Sequence, residues 1–182
     1  MVSECHKEGI ENTRRIMMIT EWVTNRSMKK LLNSISNLSA EDEFKMRFVQ
    51  LKKLFFPPFK QVKDCILISE KPVDKLEDTF DKAVEMHMDK TGYEASSTET
   101  RINCFFENSI SIELGAKIAL MVLEVWRLQL KNMEPQSKFC LIMFCDEDHV
   151  EIRFHKIHEN EKMWLNEDLE SYKDGAIGYV MI

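Results

Sequence analysis

The side chains able to bind a metal or attack a carbonyl crowd toward the C-terminal third of the chain: Cys140, Cys145, His149, His155 and His158. Zinc needs four nitrogen or sulfur donors converging on one point, commonly with two cysteines two to four residues apart on a turn. Cys140 and Cys145 are instead an odd number of residues apart in one apolar run, so in a strand they point to opposite faces. His155 and His158 also differ in parity, and no C-x-x-C or H-x-x-x-H spacing occurs. The expectation is buried thiols, surface histidines and no metal site. Covalent catalysis would set a thiol or hydroxyl beside a histidine and a third, orienting group. Cys145 near His149 is the local pair, but three acids (Asp146–Asp148) follow the cysteine and would raise its pKa. With five glycines and no G-x-S-x-G, G-x-x-x-x-G-K-[ST] or G-x-G-x-x-G run, neither a catalytic residue nor a cofactor is expected.

Charge carries more information. The 182 residues bear a net charge of −6, distributed unevenly. Residues 1–64 hold 12 Lys/Arg against 8 Asp/Glu; residues 146–174 hold 4 against 10. The basic stretch alternates with acids and the chain is acidic overall, so nucleic-acid binding is not expected. Within the acidic third, Trp164-Leu165 interrupts a run of carboxylates. An aromatic ringed by acids suits a hot spot facing a cationic surface. The partner-binding candidates are therefore Asp146, Glu147, Asp148, Glu159, Glu161, Trp164, Glu167 and Asp168. Trp164 equally suits an anchor pinning a short helix to the sheet.

These residues need a scaffold, and the apolar content of 44% is ample for one with a real core. No apolar run reaches the ~20 residues of a membrane span. The opening MVSECHKEGIEN does not resemble a signal peptide, and five widely spaced cysteines suit reduced thiols, so a cytoplasmic protein is expected. Apolar spacing predicts helices over residues 1–56, including a face of Ile16, Ile19, Trp22 and Val23. A new segment starts at Asn25 or Ser27, and another at Ser39 with Asp42 and Glu43. Phe44, Phe48, Leu51 and Phe55 form a stripe that belongs to the core or to a homodimer contact through these N-terminal helices. Pro57-Pro58 ends this segment, and an α+β domain spans residues 62–182.

There, Cys65–Ile68 suits a buried strand, and Val73, Leu76, Phe80, Ala83, Val84 and His87 one helical face. Residues 89–100 suggest a polar loop and Arg101–Glu107 a strand, with Asn108 or Ser109 capping a long helix over Ile110–Met133. Phe139–Phe144 is apolar on both faces, as in a central strand. Val150, Ile152 and Phe154 alternate with Glu151, Arg153 and His155 as in a half-exposed one, and Asp146–Asp148 makes the pair a hairpin. Asn166–Tyr172 fits a helical turn, and Gly175–Ile182 a closing strand. The fold class expected is α+β: N-terminal helices, then a mostly antiparallel sheet of four to five strands packed on a long helix.

The stretch KFCLIMFCDEDHVEIRFHKIHENEKMWLNEDLESYKDGAIGYV resembles the C-terminal part of small bacterial immunity proteins that accompany polymorphic or contact-dependent toxins. The shared elements are a strand with an acidic turn, the strand Val150–Lys156, the W-L-x-x-D-L-x-x-Y segment Trp164–Tyr172 and the closing strand. The resemblance implies a cytosolic, non-enzymatic protein that binds and blocks one toxin domain; it transfers no binding residue. Together with the charge layout, it predicts an immunity-type inhibitor acting on a basic toxin domain through an acidic surface. The rival expectation is a small-molecule-binding protein or cofactor-independent enzyme. Its pocket would lie between the long helix and the sheet and use Cys104, Cys145, His149 or Tyr179.

Overall fold

The computed structural model describes residues 22–35 and 48–182. The segments holding Ile16, Ile19, the Ser39 helix start and Phe44 lie outside these residues. The chain folds as α+β. A five-stranded antiparallel sheet has the order β1-β7-β5-β6-β4, with β1 Val23–Thr24, β4 Thr100–Arg101, β5 Phe139–Cys145, β6 Val150–Lys156 and β7 Ala176–Met181. A separate hairpin pairs β2 (Phe59–Val62) with β3 (Cys65–Ile68). The helices are α1 Arg26–Ile35, α2 Phe48–Phe55, α3 Val73–Glu77, α4 Phe80–Met86, α5 Lys90–Ser97 and α6 Ile112–Met133. None among the described residues is long and apolar enough to cross a membrane.

The long helix α6 starts at Ser111, whose hydroxyl accepts a hydrogen bond from the Leu114 amide, rather than at Asn108 or Ser109. Its Ile118, Val122 and Trp126 bury against one face of the sheet, meeting Leu141, Met143 and Phe154. Trp126 also donates its indole N–H to the Leu54 carbonyl at 3.0 Å, tying α2 to the same core. Phe59, Trp126, Phe139 and Phe154 pack edge to face, with centroids 5.5–6.2 Å apart. This cluster packs the space between α6 and the sheet.

Local structure departs from the sequence-based expectation at four further places. Val23 belongs to a two-residue edge strand, not a helical face. The helix expected over residues 73–88 breaks at Thr79, whose hydroxyl bonds back toward the Lys75 and Leu76 carbonyls. Residues 90–97 are helical, not a loop. Asp89 caps them by accepting from the Gly92 amide at 2.7 Å, and the buried face is Thr91, Glu94 and Ala95. Polar residues at helical spacing bury here, which an apolar count cannot register. Finally, only Thr100–Arg101 is strand, and Ile102–Phe105 turns into a 3₁₀ helix whose Asn103 side chain accepts from the Val150 amide.

Two side chains fasten distant segments. Glu94, fully buried on α5, accepts from the Ile66 amide of β3 at 2.6 Å and from the Lys156 amide of β6 at 2.7 Å, joining hairpin to sheet. Asn25 caps α1 by accepting from the Met28 amide at 2.8 Å. The same oxygen accepts from the Ile177 amide at 3.1 Å, and its amide nitrogen donates to the Gly175 carbonyl at 2.9 Å. Asn25→Ala removes a helix cap and strands the buried Ile177 amide of β7 and the Gly175 carbonyl before it. We expect a loss of about 2–4 kcal/mol, read as a lower urea midpoint at unchanged slope.

Candidate functional site

The candidate site lies on the second face of the five-stranded sheet. Alternation along β6 aims Glu151, Arg153 and His155 away from α6, and the register sets Cys140, Ile142 and Phe144 of β5 and Ile177 of β7 beside them. The sequence reading left this face half exposed; instead Glu151, Arg153 and His155 are all buried. The cause is the segment 157–175, which crosses back over the sheet and presses Leu165, Leu169 and Tyr172 onto it.

The cover does not seal completely. Ile142, Phe144, Glu151, Arg153, Trp164, Tyr172 and Ile177 enclose a cavity of about 270 Å³ with mostly apolar walls. At its edge the Trp164 ring lies over the Arg153 guanidinium, 4.2 Å from carbon to ring centroid. Arg153 pairs with Glu151, reaches Glu99 at 3.1 Å and donates to the Ala95 carbonyl at 3.3 Å. Glu151 also faces Arg101 at 3.8 Å and His149 at 3.9 Å. Gly175 makes room for the Phe144 wall: a Cβ built there would lie 2.4 Å from the ring. The residues walling the cavity include no thiol, hydroxyl–histidine pair or metal-ligand set. They provide apolar surface, a stacked guanidinium and a buried ion pair, which is recognition chemistry.

The eight partner-binding candidates divide. Trp164 walls the cavity and remains 39% exposed. Glu147, Asp148, Glu159, Glu167 and Asp168 are exposed, Asp168 also accepting from the Glu170 amide. Asp146 is committed to its turn, accepting from the Asp148 and His149 amides and from His149 Nδ1, each at 2.9 Å. Partial burial works to raise its pKa, but those bonds outweigh it and hold the carboxyl below its ordinary range. Glu161 turns inward and accepts from the Thr91 amide and hydroxyl, both at 2.8 Å. Asp146 and Glu161 therefore leave the candidate surface, since their oxygens hold the fold.

The rival residues do not assemble. Cys145 faces α6, with burial and then Asp146 pushing its thiol up to about 12, while His149 pairs with Asp146. Cys104 is exposed on the 3₁₀ helix and Tyr179 packs on the opposite face of the sheet from Cys145. Cys140 and Cys145 point to opposite faces, as their parity predicts. Glu151, Arg153, Tyr172 and the aliphatic floor escaped the sequence reading. Their available signal was the run Leu165, Leu169 and Tyr172, apolar residues in an acidic segment that needed a surface to cover.

The Glu151–Arg153 pair makes a sharp energetic prediction. Breaking a buried pair strands a charge, whereas removing both partners does not. Arg153→Met is expected to destabilise by about 3–5 kcal/mol, and Glu151→Leu/Arg153→Met by clearly less, in a double-mutant cycle of urea unfolding.

No curated protein and no solved structure matches the chain. A family match does exist and covers the described fold from β1 to the end of β7. From residue 23 to residue 182, the chain belongs to the Uncharacterized protein PM0498 family.

Proposed function

We propose that the protein acts by binding rather than by catalysis, with the cavity beneath Trp164 as its recognition site. The observation that carries this reading is the cavity itself: about 270 Å³, apolar-walled, and floored by a buried Glu–Arg pair. In the immunity-type form of the proposal, a cognate toxin domain inserts one apolar or aromatic side chain there. Glu147, Asp148, Glu159 and Glu167 then attract its basic surface, an effect that speeds encounter and fades with salt. Trp164, aromatic and half wet, has the character of a central anchor.

The apolar walls favour a second reading, a free small molecule with an apolar body and a polar group directed at Glu151 or Arg153. Two variants separate the readings. Ile177→Phe fills the cavity, and Glu159→Lys/Glu167→Lys reverses exposed charge away from it. For a protein partner captured from the source organism, filling should raise dissociation rates tenfold or more, since anchors cost about 2 kcal/mol or more, and charge reversal should slow association. A small molecule would appear in native mass spectrometry of the wild type, vanish in Ile177→Phe and ignore the charge reversal. Binding of either kind that survives Ile177→Phe, with that variant folded by circular dichroism, would overturn the cavity as the site.

A further inference from the structure

A different set of side chains meets on the far side of α5. Cys65 opens β3, Glu94 sits mid-helix on α5 and His158 lies two residues beyond β6. Sequence spacing gives no hint of the grouping, yet one ligand atom from each lies within 4.8 Å of the other two. Cys65 and Glu94 have no exposed surface and the His158 side chain only 6%. We propose that Cys65, Glu94 and His158 bind one divalent ion of the zinc type, in place of the metal-free reading drawn from the sequence.

Donor chemistry selects the ion. Sulfur, imidazole nitrogen and one carboxylate suit borderline-soft Zn²⁺, whereas Mg²⁺ and Ca²⁺ take oxygen ligands. Tetrahedral zinc with ordinary bond lengths would hold these donor atoms roughly 3.3–3.6 Å apart. His158 Nε2 and Glu94 Oε2 are already 3.0 Å apart, and the Cys65 thiol lies within 4.8 Å of its two partner ligands, so closing the site takes only a small side-chain adjustment. A thiolate, a carboxylate and Zn²⁺ sum to zero with a neutral imidazole, which removes the cost of burying net charge.

The surroundings are arranged as an outer shell would be. Each Glu94 oxygen is aimed by a backbone amide, from Ile66 and Lys156. His158 turns its other nitrogen toward Asp64 at 3.8 Å, and Lys90 holds Asp64 at 2.6 Å, an order that orients an imidazole ligand. An independent observation comes from His155. Its Nε2 is buried and has no hydrogen-bond partner, and the ring lines a cavity of about 20 Å³ shared with Thr91, His158 and Glu161. That space is large enough for one water, which would satisfy the orphaned nitrogen beside the His158 ligand.

The test uses the full chain stripped with a chelator and titrated with Co²⁺, then Zn²⁺. The expected result is a thiolate-to-cobalt charge-transfer band with tetrahedral visible absorption, displaced by Zn²⁺, and a melting temperature raised by Zn²⁺. Cys65→Ala should abolish the band and His158→Gln weaken binding by at least about tenfold, while Cys104→Ala leaves both unchanged. Because Glu94 also holds the fold, Cys65→Ala is the deciding variant, checked for native circular dichroism. A wild type without the charge-transfer band, or the same band in folded Cys65→Ala, overturns the proposal.

Discussion

One buried carboxylate, Glu94, sets the arrangement of everything around it. Burying such a charge costs several kcal/mol unless donors surround it. The Ile66 and Lys156 amides and His158 fill that role, and in doing so place β3, β6, α5 and the chain beyond β6 at fixed distances. With His158 pinned there, residues 159–175 have to return across the sheet to reach β7. Glu161 reinforces the turn by bonding the amide nitrogens at the start of α5, where the helix carries partial positive charge. The covered sheet face, its cavity and the buried Glu151–Arg153 pair all follow from that constraint.

Where apolar periodicity decides structure, the sequence was legible. The FCLIMF strand, the acidic hairpin turn, the long helix and the closing strand occupy nearly the expected residues, because each buries a face whose spacing is visible in the chain. Asn25 as a helix start was likewise readable from its side chain. Two of the failures share one cause: burial of polar groups by tertiary partners. Thr91 and Glu94 form the inner face of a helix that reads as a loop, and Glu151, Arg153 and His155 occupy a sheet face that reads as solvent-exposed. Hydropathy assigns such residues to the surface, and only the partners reveal otherwise.

The same blindness governed the candidate-site residues. Trp164 stood out because an aromatic among acids is conspicuous, and it does wall the cavity. The floor beneath it was hidden by an alternation pattern that looked like an ordinary exposed strand. Asp146 and Glu161, counted as surface charge, spend their oxygens on backbone amides instead. Net charge over a segment therefore overstates the charge available to a partner, since capping and bridging carboxylates are included in it.

Gly175 stands against the Phe144 ring with no space for even a methyl group, and the Cys145 carbonyl closes the other side at 2.9 Å. Gly175, just before β7, thus makes room for the Phe144 ring, which walls the cavity. Within the family, the pair should therefore vary together: a larger residue at the first position requires a smaller one at the second. Members that preserve both would share a common pocket size, and those that change both would differ in the shape of that wall.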